Sequence, residues 1–363
     1  KEQLDLALRQ GARGLSSGLT YAPGRFSDTE ELIELCKVVR EHGGIYHTHM
    51  RGYSATPPES MLDSIGEAIR VAEESGARTN ISHMNPIKGA NMAQRATACV
   101  DQARARGVEI TFDITMWTQG PGPFMQMLPS WAQEGGFQRL KSRLEDSETR
   151  RRIARALDEG EPDSPHHRRI NWAEAVVARA GRPENDRWVG RTFAEMGEEW
   201  GLPPAEAALM LLLRDDGQFW FGTAGKLQED INHVVSHPVG VPIIDGMTLA
   251  PYGPLGRPSY PRHYGTFPRI LGRYVREWKV MPLEVAIQKL TSMPAMRMGI
   301  ADRGLLRPGM YADVLVFDPE SVIDREGFGH SHDFPAGIEY VIVNGALTVE
   351  SGVQHDVRAG QVL

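Results

Sequence analysis

The sequence predicts an α/β protein of the (β/α)8 barrel class, with about five strand–helix units of the barrel in this chain, followed by a small carboxyl-terminal β domain. Three observations predict it. Short apolar, β-branched runs alternate with amphipathic helical stretches, and a glycine closes most of those helices before the next strand begins. The strand segments read as buried on both faces, as strands of a helix-covered parallel sheet must be. Histidines and an aspartate stand at the carboxyl ends of successive strands, on the rim where such barrels keep their chemistry.

Taken in order, Glu2 to Gln10 reads as an amphipathic helix ended by Gly11, and 12–19 as a strand of small residues. Ser27 or Asp28 can cap the next helix, whose stripe is Leu32, Ile33, Leu35 and Val38. Gly43-Gly44 then releases the run Ile45-Tyr46-His47-Thr48-His49. A helix introduced by Pro57-Pro58 and closed by Gly76 leads to the strand at 79–84, a helix over 92–106 to the strand at 109–117. From Thr118 to about Arg168 the alternation stops. A Gly-Pro loop, large apolar residues and a charged helix over 138–157 read as a lid inserted at the rim, and a polar linker containing His166 and His167 follows. Helices near 192–200 and 203–213 precede the strand at 241–245, a Pro-, Gly- and Tyr-rich loop spans 246–265, and helices at 268–278 and 282–291 finish the barrel portion, taken as 1–300. The remainder, 301–363, reads as a β-sandwich portion, with Asn344-Gly345 as a hairpin turn.

A closed barrel needs eight strands and five are legible, so the barrel reading places three more upstream of Lys1. An open doubly wound sheet is the alternative that needs none. The chain opens on Lys1 in mid-helix, which leads us to expect a start that is missing or processed away.

Composition narrows the function. At 363 residues, 41% hydrophobic and 24% charged, the chain is an ordinary globular protein, and its net charge of −7 gives no footprint for nucleic acid. No apolar run approaches the roughly 20 residues of a membrane span, so a cytoplasmic protein without a membrane partner is expected. Cys36 and Cys99 fall within helices and suit reduced thiols.

The candidate site follows from side-chain direction. Residues two apart on a strand share a face, so His47 and His49 project together. His49 and His83 end consecutive strands, which sets two imidazoles side by side as metal ligands. For His47 both ligation and a hydrogen bond to a neighbour fit. Asp245, ending the last strand, suits a general base that takes a proton from water activated beside a metal. Arg262, on the loop after it, can grip a substrate carboxylate bidentately. The other histidines, His330 among them, show no spacing that points to a site.

These motifs, in this order, resemble the N-acyl-D-amino-acid deacylases, or D-aminoacylases, of the amidohydrolase superfamily. The stretches are Ala12 to Leu19 with Tyr21 and Pro23, Tyr46 to Arg51, Ser82-His83, Asp245-Gly246, Pro261-Arg262 through Gly272, and the tail from Arg303 to Asp318 with Val343-Asn344-Gly345. The resemblance implies a zinc hydrolase of one or two ions in which His49 and His83 are ligands, Asp245 is the acid/base and Arg262 meets the carboxylate of a small N-acyl amino acid. It also implies further ligands upstream of Lys1. The family's Tyr-Pro-Tyr after the strand aspartate is replaced by Ile114-Thr115-Met116, and Ile244 stands where a serine is usual. An amidohydrolase acting on a cyclic amide or carbamate, and an incomplete barrel serving as a binding or subunit module, are the competing readings.

Overall fold

The computed structural model describes the chain apart from residues 22, 54–59, 87, 90, 161–169, 326 and 328–331. The Pro57-Pro58 helix lead, the linker histidines His166 and His167, and His330 lie outside the described residues. In chain order the strands are β1 (Gly14–Gly18), β2 (Ile45–His49), β3 (Arg78–Ile81), β4 (Ile110–Thr115), β5 (Gln119–Pro123), β6 (Val176–Arg179), β7 (Trp220–Ala224), β8 (Gly240–Ile243), β9 (Val314–Phe317), β10 (Ile338–Val343), β11 (Ala346–Glu350) and β12 (Val353–Gln354).

The first sheet is parallel throughout, in the order β1-β2-β3-β4-β8, and its strands fall within or beside the five segments expected. Among the described residues it is a five-stranded sheet with β1 and β8 at its edges. Helices Thr29–Glu41, Met61–Ser75 and Met92–Ala105 supply the crossovers, and their starts show why the chain turns where it does. Of the two capping candidates Asp28 acts, accepting from the Glu31 N–H at 2.8 Å. Ser60 and Asp63 form a capping box, and Gly76 ends that helix at φ 68°. The apolar faces of the latter two helices meet Ile81, Phe112 and Ile114 of the strands in one core, while Leu32, Ile33 and Cys36 of the first pack with Leu19 and Tyr46 in another.

Close approach fixes one glycine. A Cβ on Gly14 would lie 1.8 Å from the Ile45 carbonyl oxygen, a backbone atom on the neighbouring strand. Gly14→Ala should therefore force β1 away from β2 and cost about 1–3 kcal/mol, in the range of overpacking. Chemical denaturation of the variant checks this, and wild-type stability would show that β1 can shift freely.

The excursion after β4 continues beyond 168 and has its own sheet. β5, β7 and β6 pair antiparallel in that order, around a separate core that includes Phe124, Leu140, Ile153, Trp188, Phe193, Leu209 and Phe219. The expected single helix over 138–157 divides into Gly136–Glu145 and Ser147–Glu159, because the Asp146 carboxylate accepts from the Thr149 N–H at 2.8 Å and restarts the helix. The expected helix over 268–278 begins earlier, as Arg262–Arg269, and runs on as a π-helix over Ile270–Glu277. Pro268, which lacks the N–H an α-turn would use, sits just before the change.

The tail forms one antiparallel sheet, β12-β11-β10-β9. Asn344 and Gly345 at φ 51° and 81° make the β10–β11 turn, both in the left-handed region that an Asn-Gly hairpin uses.

Candidate active site

Strands β2 and β3 deliver two imidazoles. His49 is the last residue of β2 and His83 stands two residues beyond β3. The register pairs Thr48 with Ile81, which brings the two strand ends together, and His49 Nδ1 lies 2.8 Å from His83 Nε2. His83 has φ 34°, in the left-handed region that non-glycine residues seldom enter. Two contacts hold it there: its N–H donates to Asp113 Oδ1 at 2.5 Å, and its Nδ1 shares a 2.8 Å hydrogen bond with the Tyr53 hydroxyl. Burial, reinforced by the neighbouring His83, pushes His49 down to about 3, and burial pushes His83 down to about 4. Both rings are neutral at pH 7, the state in which imidazole is a metal ligand.

Strand β8 delivers the carboxylate. Asp245 stands two residues past Ile243 at φ 49°, and its side chain is 39% exposed. It accepts from Arg262 Nη1 at 3.0 Å. Arg262 itself departs from expectation. It is the first residue of a helix, behind Pro261, and is 3% exposed rather than carried on a loose loop. Proline favours the entry to a helix, and the pairing with Asp245 satisfies one end of a buried guanidinium. Among the described residues the buried Arg262 Nε has no partner.

His47 makes the hydrogen bond that was one of its two alternatives. It lies two residues nearer the strand start than His49 on the same face, with Nδ1 3.4 Å from Asn80 Nδ2. Asn80 in turn donates to Asp113 Oδ2 at 2.6 Å. His47 is thus part of a polar layer with Asn80, Asp113 and Arg297, and among the described residues its buried Nε2 has no partner. Burial there pushes Asp113 up to about 7.

His49, His83, Asp245 and Arg262 line a single pocket, joined by Tyr21, Tyr53 and Asn85 from the rim. The insert supplies its other wall: Gly120 to Pro123, Gln126, Met127, Trp220, Phe221 and Thr223. Lys226, just past β7, enters the same pocket and donates to Thr115 Oγ1 at 2.9 Å. Burial, with repulsion from Arg262, pushes its ammonium down to about 7. The sequence reading missed Lys226 because β7 was not recognised. The aromatic run Phe219-Trp220-Phe221 was the available signal.

Among the described residues, no three His, Cys, Asp or Glu side chains come together in a way that could hold a metal ion. The pair His49 and His83 nonetheless fits one. The two neutral ring nitrogens share a single proton at 2.8 Å, and a cation in its place would engage both lone pairs.

An α/β architecture with a β-sheet tail is that of the amidohydrolases, and the model of the Amidohydrolase family matches residues 256–349. An N-acyl-D-glutamate deacylase of Alcaligenes xylosoxydans xylosoxydans is 30% identical over 98% of this chain and 62% of its own length. A D-aminoacylase of the same organism is 28% identical over 98% of this chain and 62% of its own. The crystal structure of N-acyl-D-glutamate deacylase from Bordetella bronchiseptica, complexed with zinc and a phosphonate mimic of the tetrahedral intermediate, superposes with a TM-score of 0.78. It is 26% identical, over 100% of this chain and 65% of that one. The chain is similar over nearly its whole length to N-acyl-D-amino-acid deacylases of the amidohydrolase superfamily, the family its motifs resemble. It spans a little over three-fifths of the length of these relatives. Among the described residues no helix is long and apolar enough to cross a membrane.

Proposed function

We propose that this chain carries the catalytic rim of a zinc-dependent hydrolase that cleaves N-acyl-D-amino acids into a carboxylate and a free amino acid. One observation carries the reading: the neutral pair His49 and His83 shares a pocket with the Asp245–Arg262 pair at the carboxyl ends of parallel strands. The relatives, named for deacylation of N-acyl-D-amino acids, support the substrate class. In this reading the five-stranded sheet is part of a (β/α)8 barrel over 1–300, with 301–363 as the β domain, and the unpaired Cys36 and Cys99 suit a cytoplasmic setting.

His49 and His83 would hold the zinc, which supplies Lewis-acid polarisation of the scissile carbonyl and acidification of water. Asp245, open to the pocket, takes the proton of the attacking water and returns it to the departing nitrogen. Arg262, fixed by its helix, grips the α-carboxylate with donors beyond the one shared with Asp245. The apolar insert wall receives the acyl chain.

Metal analysis of the purified chain is the first test, with about one zinc per chain expected from a working site. The convergence of only two ligands among the described residues favours a second reading, an incomplete barrel acting as a binding or subunit module, and a chain that takes up no zinc would support it. The carboxylate grip is tested by substrate. Wild type should prefer an N-acyl amino acid over its α-carboxamide, and Arg262→Lys should lose that preference, because an ammonium cannot reproduce the guanidinium fork. Indifference of both proteins to acid and amide would move the cyclic-amide or carbamate reading ahead.

A further inference from the structure

A second cavity, of about 650 Å³, opens at the end of the parallel sheet away from His49 and His83. Ile45 and Arg78, the first residues of β2 and β3, line it together with Thr111 of β4 and Val239, the residue before β8. Its volume lies within the roughly 300–1,000 Å³ usual for small-molecule sites. Three guanidiniums meet there: Arg78, Arg104 in the last turn of the helix Met92–Ala105, and Arg297 at the end of the helix Ser292–Arg297. Backbone carbonyls hold them in place. Arg104 Nη1 donates to the Ile110 carbonyl at 2.9 Å, Arg297 Nη1 to that of Phe112 at 3.3 Å and Nη2 to that of Val239, and Arg78 Nη1 to that of Arg297 at 3.3 Å. A guanidinium has five donors, and among the described residues Arg104 uses one and Arg78 two.

Carboxylates are missing from this group. Among the described residues none of the three forms an ion pair, and Glu109, the one acid on the cavity wall, meets none of them. Arginines on the adjoining surface differ: Arg106 pairs with Glu73, and Arg70 with Glu30 and Glu74. Burial pushes Arg297 down to about 10, Asp113 opposes that shift and Arg104 adds to it. Guanidiniums gathered on a cavity wall with donors to spare match the oxygens of a carboxylate or phosphate. Much of the remaining wall is apolar, with Val108, Val239, Met293 and Met296, and methionine side chains mould to ligands of different shape. We propose that this cavity binds an organic anion, a carboxylate or phosphate head on an apolar body, with Arg78, Arg104 and Arg297 on the head and the valines and methionines on the body. The site lies outside the catalytic pocket and does not depend on the deacylase reading.

The test is calorimetric binding of decyl phosphate and decanoate to the full chain, with decanol as the neutral control and inorganic phosphate as the head alone. At least one of the two amphiphiles should bind roughly 10-fold or more tighter than either control, the worth of a charge-assisted contact, and which one does so identifies the head. Arg104→Met should erase the advantage over decanol, and Arg104→Lys should recover part of it. Arg104 is the arginine to change because a single hydrogen bond ties it to the fold. Amphiphiles that bind no tighter than decanol overturn the proposal, and so does inorganic phosphate that binds as tightly as decyl phosphate, since the apolar wall then has no part. Unchanged binding in Arg104→Met also overturns it, by placing the ligand elsewhere, the catalytic pocket included. Should Arg104→Met fail to fold, Met296→Glu decides. Met296 is 60% exposed, and a carboxylate in its place should weaken the anions more than it weakens decanol. An unchanged preference for the anions in that variant sinks the site.

Discussion

His49→Ala and His83→Ala should each release zinc and abolish turnover together, the largest effect expected of any single substitution in this chain. Each removes one of two imidazoles whose nitrogens face one another at 2.8 Å, so neither leaves a pair that can share an ion. Loss of a residue that merely supports a ligand lowers metal affinity about 10- to 100-fold, and these substitutions should exceed that range. His47→Ala provides the contrast. His47 bonds to Asn80 within the polar layer, so its removal should leave zinc content near that of wild type. Metal content and activity measured side by side settle the assignment: full zinc in His49→Ala or His83→Ala would overturn it, and equal loss in His47→Ala would bring that residue into the coordination sphere. Circular dichroism distinguishes ligand loss from unfolding. His83 needs that control most, because its left-handed backbone leans on contacts with Asp113 and Tyr53 that involve the residue itself.

The parallel sheet was legible because a buried strand followed by a capped helix is a local signal. Asp28, Gly76 and the Asn344-Gly345 turn each act through atoms a few residues away, and each does what its sequence position indicated. His49 and His83 were legible for a related reason, since consecutive parallel strands put their carboxyl ends on one rim. Distance in the chain hid the rest. Thr115 and Lys226 meet across 111 positions, and the pairing depends on β7, a strand in an insert whose grammar differs from that of the sheet around it. Tyr53 stands 30 residues from the His83 ring it contacts, in a stretch where no periodicity announces a function. Arg262 was identified as a residue but misjudged as an environment. Its burial comes from a helix that starts at Pro261 and from the carboxylate it meets, neither of which the Pro- and Tyr-rich composition of 246–265 reveals.

Asp245→Asn should lose turnover by roughly 10²- to 10⁴-fold, the usual contribution of a positioned proton-transfer group, while keeping fold and zinc. Asparagine is the substitution that isolates this effect. Asp245 holds φ 49°, a conformation asparagine tolerates as well as aspartate does, so the rim backbone has no reason to move. The amide oxygen can still accept from Arg262 Nη1, which keeps the buried guanidinium from losing its partner. What asparagine lacks is the ability to take a proton and hand it on. The loss should therefore fall on kcat rather than KM, because proton transfer belongs to the transition state and substrate binding does not depend on it. Asp245→Ala should behave differently: alanine is strained at positive φ and leaves Arg262 unpaired, so stability and KM should suffer along with kcat. Comparing the two variants separates the proton-transfer role from the positioning role. An Asp245→Asn protein with near-normal kcat would place the base elsewhere in the pocket, and one whose defect lay wholly in KM would make Asp245 a partner for Arg262 and nothing more.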